Sequence, residues 1–160
     1  IYEKYFIKFN KRKIIFMKKF FIISFLFFST PLLASEGEKE KKIAKFVMEN
    51  IQTDYVNCYS FYKVAAESFK KAGKEKSIIN SLEKSADVSL KYNYDLGEIM
   101  GLNPEVMSQM TKDKVNKFIK LAKEDFSSLA KQYGMLCKNL VENPKQRTDF
   151  WEEKGKKKFK

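Results

Sequence analysis

Between Ile43 and Leu140, apolar residues recur at steps of three and four, the spacing of amphipathic helices. The first stripe is Ile43, Val47, Ile51, Tyr55, Cys58, Tyr62, Ala65 and Phe69; it fades at Lys70 and Lys71. Gly73 then supplies a C-terminal stop. The second runs through Ile78, Ile79, Leu82, Ala86, Leu90, Leu96 and Met100 to a stop at Gly101. Asn103 and Pro104 read as a cap and first turn, with Leu102 placed to staple onto Met107. The third stripe is the longest: Val106, Met110, Val115, Phe118, Ala122, Phe126, Leu129, Tyr133, Leu136, Cys137 and Leu140. Lys112, Lys114, Lys117, Lys120 and Lys123 cover its solvent side. Pro144 ends it, and Asn143-Pro144 opens a short fourth helix carrying Arg147, Phe150 and Trp151. The charged lead-in over 36–40 is expected to fray.

No alternating strand pattern, hairpin turn or internal repeat competes with these stripes. The expected fold class is therefore all-α: a small helical bundle of three long antiparallel helices plus a short C-terminal helix. One disulfide, Cys58 to Cys137, is expected to staple it, since these are the chain's two cysteines. An intermolecular bridge or two free thiols is the rival reading. The pairing carries a geometric condition. Helices one and three would run parallel, and at 1.5 Å per residue the cysteines would then sit about 12 Å out of level. A disulfide spans only about 7 Å between Cα atoms. The expected relief is an offset between helices, or a bend, either at Thr53 to Asn57 or at Gly134.

The N-terminal segment changes the setting. Met17-Lys18-Lys19 precedes the apolar run FFIISFLFF, Phe20 to Phe28, then Ser29-Thr30-Pro31 and Leu32-Leu33-Ala34. A basic start, a short apolar stretch, a proline and a small residue form a cleavable signal peptide over 17–34, with cleavage after Ala34 and Ser35 as the new N-terminus. The run is shorter than the roughly 20 residues a membrane span needs; an uncleaved N-terminal anchor is the alternative. Residues 1–16, IYEKYFIKFNKRKIIF, have the composition of translated A/T-rich DNA. They read as upstream read-through or an extended basic n-region, with Met17 as the expected initiator. The expected localisation is periplasmic or secreted, from a bacterium. The remainder divides into one helical-bundle domain over 35–153 and a flexible lysine-rich tail over 154–160.

The formal net charge of +12 suggests a nucleic-acid partner, but its distribution does not. Residues 1–34 carry seven Lys/Arg and one Glu, and 154–160 carry five lysines and no acid, which leaves 35–153 at +1. A nucleic-acid binder concentrates base on its folded part. The expected partner is accordingly a protein or small ligand, with membrane contact only through the signal segment; oligomeric state is not readable.

Candidate chemistry is sparse. The chain has no histidine, Cys-x-x-Cys pair or glycine-rich phosphate loop, and no cofactor, metal or catalytic residue is assigned. Met100, Met107 and Met110 read as core filler. Tyr55, Tyr59 and Tyr62 surround Cys58 at helical spacing; they read as the edge of the core or as an aromatic pocket for an apolar or planar ligand. Asp54 lies on the edge of the same stripe, a candidate buried acid in need of a partner. Beyond residue 34, Arg147 is the only arginine, and Trp151, four residues on, is the chain's only tryptophan. Arginine offers a planar fork that lysine lacks. The two read either as an exposed recognition patch or as the means of docking the last helix, with Asp54 among the acids available to Arg147. The expected function is a non-catalytic binding or interaction module for a protein or small ligand, an inhibitor or immunity-type protein included. The alternatives are a periplasmic chaperone or stress-type helical protein, and a cell-wall-directed hydrolase using paired carboxylates.

Overall fold

The computed structural model describes residues 31–160, with side-chain environments from residue 36 onward. The chain forms four helices, α1 (Pro31–Lys71), α2 (Lys76–Ile99), α3 (Pro104–Glu142) and α4 (Pro144–Lys158). There is no strand among the described residues. The compact unit is Ser35–Lys160. The apolar run at 20–28 and the segment 1–16 lie outside the described residues. The expected cleavage position, Ala34 to Ser35, lies on the backbone of α1, and the lead-in expected to fray is helical and exposed.

Two turns form where glycine allows a left-handed backbone. Gly73 has φ +64° and Gly101 φ +70°. Each is followed by a six-residue closing bond, from the Lys74 amide to the Phe69 carbonyl at 3.0 Å and from Leu102 to Gly97 at 2.9 Å, the Schellman arrangement. Asn103 caps α3, its Oδ1 accepting from the Glu105 amide at 2.7 Å, with Pro104 in the first turn.

The third turn falls where no glycine or proline marks it. α3 breaks at Asp125, whose backbone is extended at φ −155°, ψ 93°, and the break is a reversal. The Phe118 and Tyr133 ring centroids lie 4.7 Å apart, whereas a straight helix would separate these residues by about 22 Å. The Asp125 carboxylate accepts from the Ser128 amide at 3.0 Å, so Asp125 caps the arm that it starts. α3 is therefore an ascending arm, 104–124, and a descending arm, 126–142.

This reversal resolves the level mismatch and corrects the expected bends. α1 has no break at Thr53 to Asn57, and Gly134 lies inside the helical descending arm. Contacts along α1 step downward as the descending arm steps upward in number: Phe69 meets Phe126, Phe61 meets Tyr133, and Cys58 bonds Cys137 with Cα atoms 5.2 Å apart. Cys137 thus sits on a segment antiparallel to α1, not on a parallel helix. α2 also runs antiparallel to α1, with Tyr55 against Tyr92 at 5.0 Å. It pairs with the ascending arm through Asn93 and Thr111. The result is an up-down-up-down bundle in which α1, α2 and the two arms of α3 each run antiparallel to the one before.

α4 prolongs the descending edge along α1, and the supposed lysine tail is helical through Lys158. Gly155 is buried, and a Cβ there would lie 3.0 Å from Ile43 Cγ2 and 3.3 Å from Phe46 Cδ1, so a larger residue would press on the Ile43 and Phe46 side chains. Lys156 pairs with Glu152 and Lys157 with Glu153 along the same turns. The core centres on Cys58, Ala65, Ala86, Phe118, Leu129, Cys137 and Leu140. Ile78, Val106 and Met110, expected in the stripes, are exposed: Ile78 and Val106 occupy first turns at the ends of the bundle, and Met110 lies one turn after Val106. Met107 is the methionine that fills the core.

The bridge closes a separation of 79 residues, and the chain-entropy relation gives at most about 4.5 kcal/mol for such a loop. Urea unfolding of a Cys58→Ala, Cys137→Ala double variant is expected to lose several kcal/mol, up to that ceiling. The wild-type protein is expected to change gel mobility on reduction.

Candidate functional site

A carboxylate placed on the packed side of a helix needs donors, because burying an unpaired charge is costly. Asp54 is such a group, 5 % exposed on α1, and α4 supplies the donors. Arg147 Nε donates to Oδ2 at 2.7 Å and Nη2 to Oδ1 at 3.2 Å, a two-point grip. Trp151 Nε1 donates to the same Oδ2 at 2.6 Å. The guanidinium lies 4.5 Å from the Phe150 ring centroid and 4.8 Å from that of Trp151, and Phe46 meets Trp151 edge-on at 6.0 Å. The rarity of Arg147 and Trp151 in the sequence therefore marks the docking of α4. Their polar ends are turned onto Asp54 instead of forming an exposed recognition patch.

The three tyrosines do not converge on one pocket. Tyr55 is 4 % exposed and packs inside the core against the tilted ring of Tyr92; burial pushes its hydroxyl well above the ordinary tyrosine range. Tyr59 is half-buried against the core. Tyr62 alone lines a groove. Burial first, then the nearby Glu142 carboxylate, pushes Tyr62 from 10.0 up to about 12, against a lowering hydrogen bond with Ser85.

That groove, of about 370 Å³, opens between α1, α2 and the descending arm of α3. Phe61, Tyr62, Leu82 and Val141 give it an apolar and aromatic lining. Ser81, Ser85, Lys138 and Glu142 bring hydroxyls, an ammonium and a carboxylate to it, and Gly134 leaves one wall without a side chain. Its volume lies at the low end of the range of ligand pockets, about 300 to 1,000 Å³, but it is an open surface groove, not an enclosing cavity. A smaller hollow of about 170 Å³ lies at the reversal, beside Leu121, Asp125 and Leu129.

Of the site candidates read from the sequence, Tyr62 reaches the groove, which Leu82 of the second stripe and Gly134, expected as a bend, also line; Asp54, Arg147 and Trp151 come together elsewhere. The remaining lining residues were missed. Ser81 with Ser85, and Lys138 with Glu142, each repeat at four residues and so share a helix face. Nothing short of the reversal at Asp125 shows that these two faces meet. Among the described residues no group of three or more His, Cys, Asp or Glu is arranged to hold a metal ion. No family model matches the chain, and no curated protein or solved structure compared with it matches either.

Removing one partner of a buried, hydrogen-bonded ion pair costs about 3 kcal/mol. Arg147→Ala is expected to lose on that order in urea unfolding, and Arg147→Lys to recover under half, because an ammonium has no fork. A second expectation concerns alkali. The folded protein keeps the Tyr62 proton that the unfolded chain releases near pH 10.0. Its contribution is therefore full below pH 10 and declines as pH rises towards 12, by at most about 1.4 kcal/mol per pH unit. Tyr62→Phe should flatten the decline measured by urea unfolding between pH 9 and 12; an unchanged slope would show that Tyr62 titrates normally.

Proposed function

We propose that this protein is an exported, non-catalytic binding module that seats a small ligand in the groove beside Tyr62. The groove itself carries the reading: an aromatic lining suits an apolar or planar body, and Lys138, Glu142 and the hydroxyls suit a polar end. Export is supported from three directions. The segment 17–34 has the order of a signal peptide. The compact unit begins at Ser35, the residue that cleavage after Ala34 would expose. The Cys58–Cys137 disulfide suits an oxidising compartment. Among the described residues no helix is long and apolar enough to cross a membrane.

One observation favours the chaperone reading as the second choice. Ile99 is 70 % exposed, Met135 66 % and Val106 52 %. Ile99 and Val106 flank the Gly101 turn, where an apolar surface for unfolded clients would form, whereas a single exposed side chain such as Met135 is ordinary.

The full chain, exported by a bacterium and isolated from its periplasm, distinguishes the two. The binding-module reading expects Ser35 at the N-terminus and a small co-purifying mass by native mass spectrometry. Leu82→Trp, which fills the groove, should lose that mass while keeping its helical circular dichroism. A protein that carries no ligand but suppresses aggregation of an unfolded client would transfer the assignment to the chaperone class.

A further inference from the structure

Charges on a groove wall select the charge of what the groove can hold. Lys138 and Glu142 both line the groove beside Tyr62, and both are exposed. They lie one turn apart on the same face of the descending arm, with Cβ atoms about 5–6 Å apart. No ion pair joins them or ties either to another described residue. One wall thus carries two separate charges of opposite sign. The facing wall, on α2, brings Ser81, Leu82 and Ser85 and no charge.

The two ends of the groove differ in chemistry. Glu142 stands close enough to the Tyr62 hydroxyl to help raise it, and that hydroxyl bonds Ser85. A carboxylate and two hydroxyl oxygens gather there, all able to accept from an ammonium. Lys138 lies one turn nearer Gly134 and offers three donors and no acceptor. A Cβ at Gly134 would lie 3.9 Å from Phe61 Cζ; without one, the wall at that end is left to the aromatic ring.

The charges narrow the occupant. A simple cation suits Glu142 and is repelled by Lys138; a simple anion meets the reverse. A neutral body would use the apolar lining alone. A zwitterion engages both charges. Two residues of extended peptide span at most about 7 Å, which matches the spacing of the two side chains. A single amino acid holds its charges about half as far apart.

We propose that the groove holds a zwitterionic dipeptide with apolar side chains, its ammonium beside Glu142 and Tyr62 and its carboxylate beside Lys138. The inference rests on the reading of the groove as a ligand site and adds the ligand's class and direction. Leu82 and Val141 suit an aliphatic first side chain, and the Phe61 ring at the Gly134 gap suits an aromatic second one.

The test is calorimetric titration of the full disulfide-bonded chain with the dipeptide Leu-Phe, its N-acetyl form, its C-terminal amide and free L-phenylalanine. Leu-Phe is expected to bind tightest. Each blocked form should bind about fivefold more weakly, the size of one solvent-exposed charge contact. Glu142→Gln should erase the penalty for acetylation alone, and Lys138→Met the penalty for amidation alone. Both positions are exposed, so the variants keep the fold, which circular dichroism checks. A blocked form that binds as tightly as Leu-Phe, variants that weaken all four probes alike, or tighter binding of L-phenylalanine overturns the proposal. No binding of Leu-Phe, together with a co-purifying mass that Leu82→Trp loses, overturns the dipeptide and leaves the groove reading standing. No binding and no such mass overturns both.

Discussion

One extended residue sets the direction of the second half of the bundle. At Asp125 the backbone leaves the helix for a single step and re-enters it antiparallel, with the Asp125 side chain capping the new arm. Without that reversal Cys137 would run parallel to α1 and out of level with Cys58. With it, the descending arm lies along α1, the sulfurs meet, and α4 continues down the same edge to Asp54 and Ile43. The groove beside Tyr62 has the same origin, because one of its walls is the returning arm.

The helices and two of their turns were readable because local chemistry decides them. Gly73 and Gly101 take positive φ, and Asn103 caps with Pro104 behind it. The reversal was not readable, for a physical reason. Both arms of α3 bury their apolar residues in the same core, so the three-and-four spacing runs on through Phe118, Ala122, Phe126 and Leu129 without a gap. Asp125 needs neither glycine nor proline, since its φ of −155° is open to any residue. Periodicity reports which side of a helix is wet; it does not report that the chain has turned round. The 12 Å mismatch between the cysteines was the one sequence-level sign that something had to give.

The conspicuous side chains and the groove also lie apart. Arg147 and Trp151, the side chains that composition makes most conspicuous, are engaged in holding a helix onto Asp54. The groove is built largely from ordinary residues, Ser81, Leu82, Lys138 and Val141 among them, that no spacing rule links. Gly155 makes the same point at the C-terminus. Among lysines it reads as the start of a tail, yet it is buried where α4 packs against the Ile43 and Phe46 side chains of α1.

All three reversals of the bundle, at Gly73, Gly101 and Asp125, fall between Cys58 and Cys137. A protease that cuts once at any of them opens the chain but releases nothing, because the bridge still joins the piece holding Cys58 to the piece holding Cys137. The exposed turns of this bundle are therefore its expendable points, and a nicked molecule keeps its two halves at high local concentration, ready to re-form the same packing.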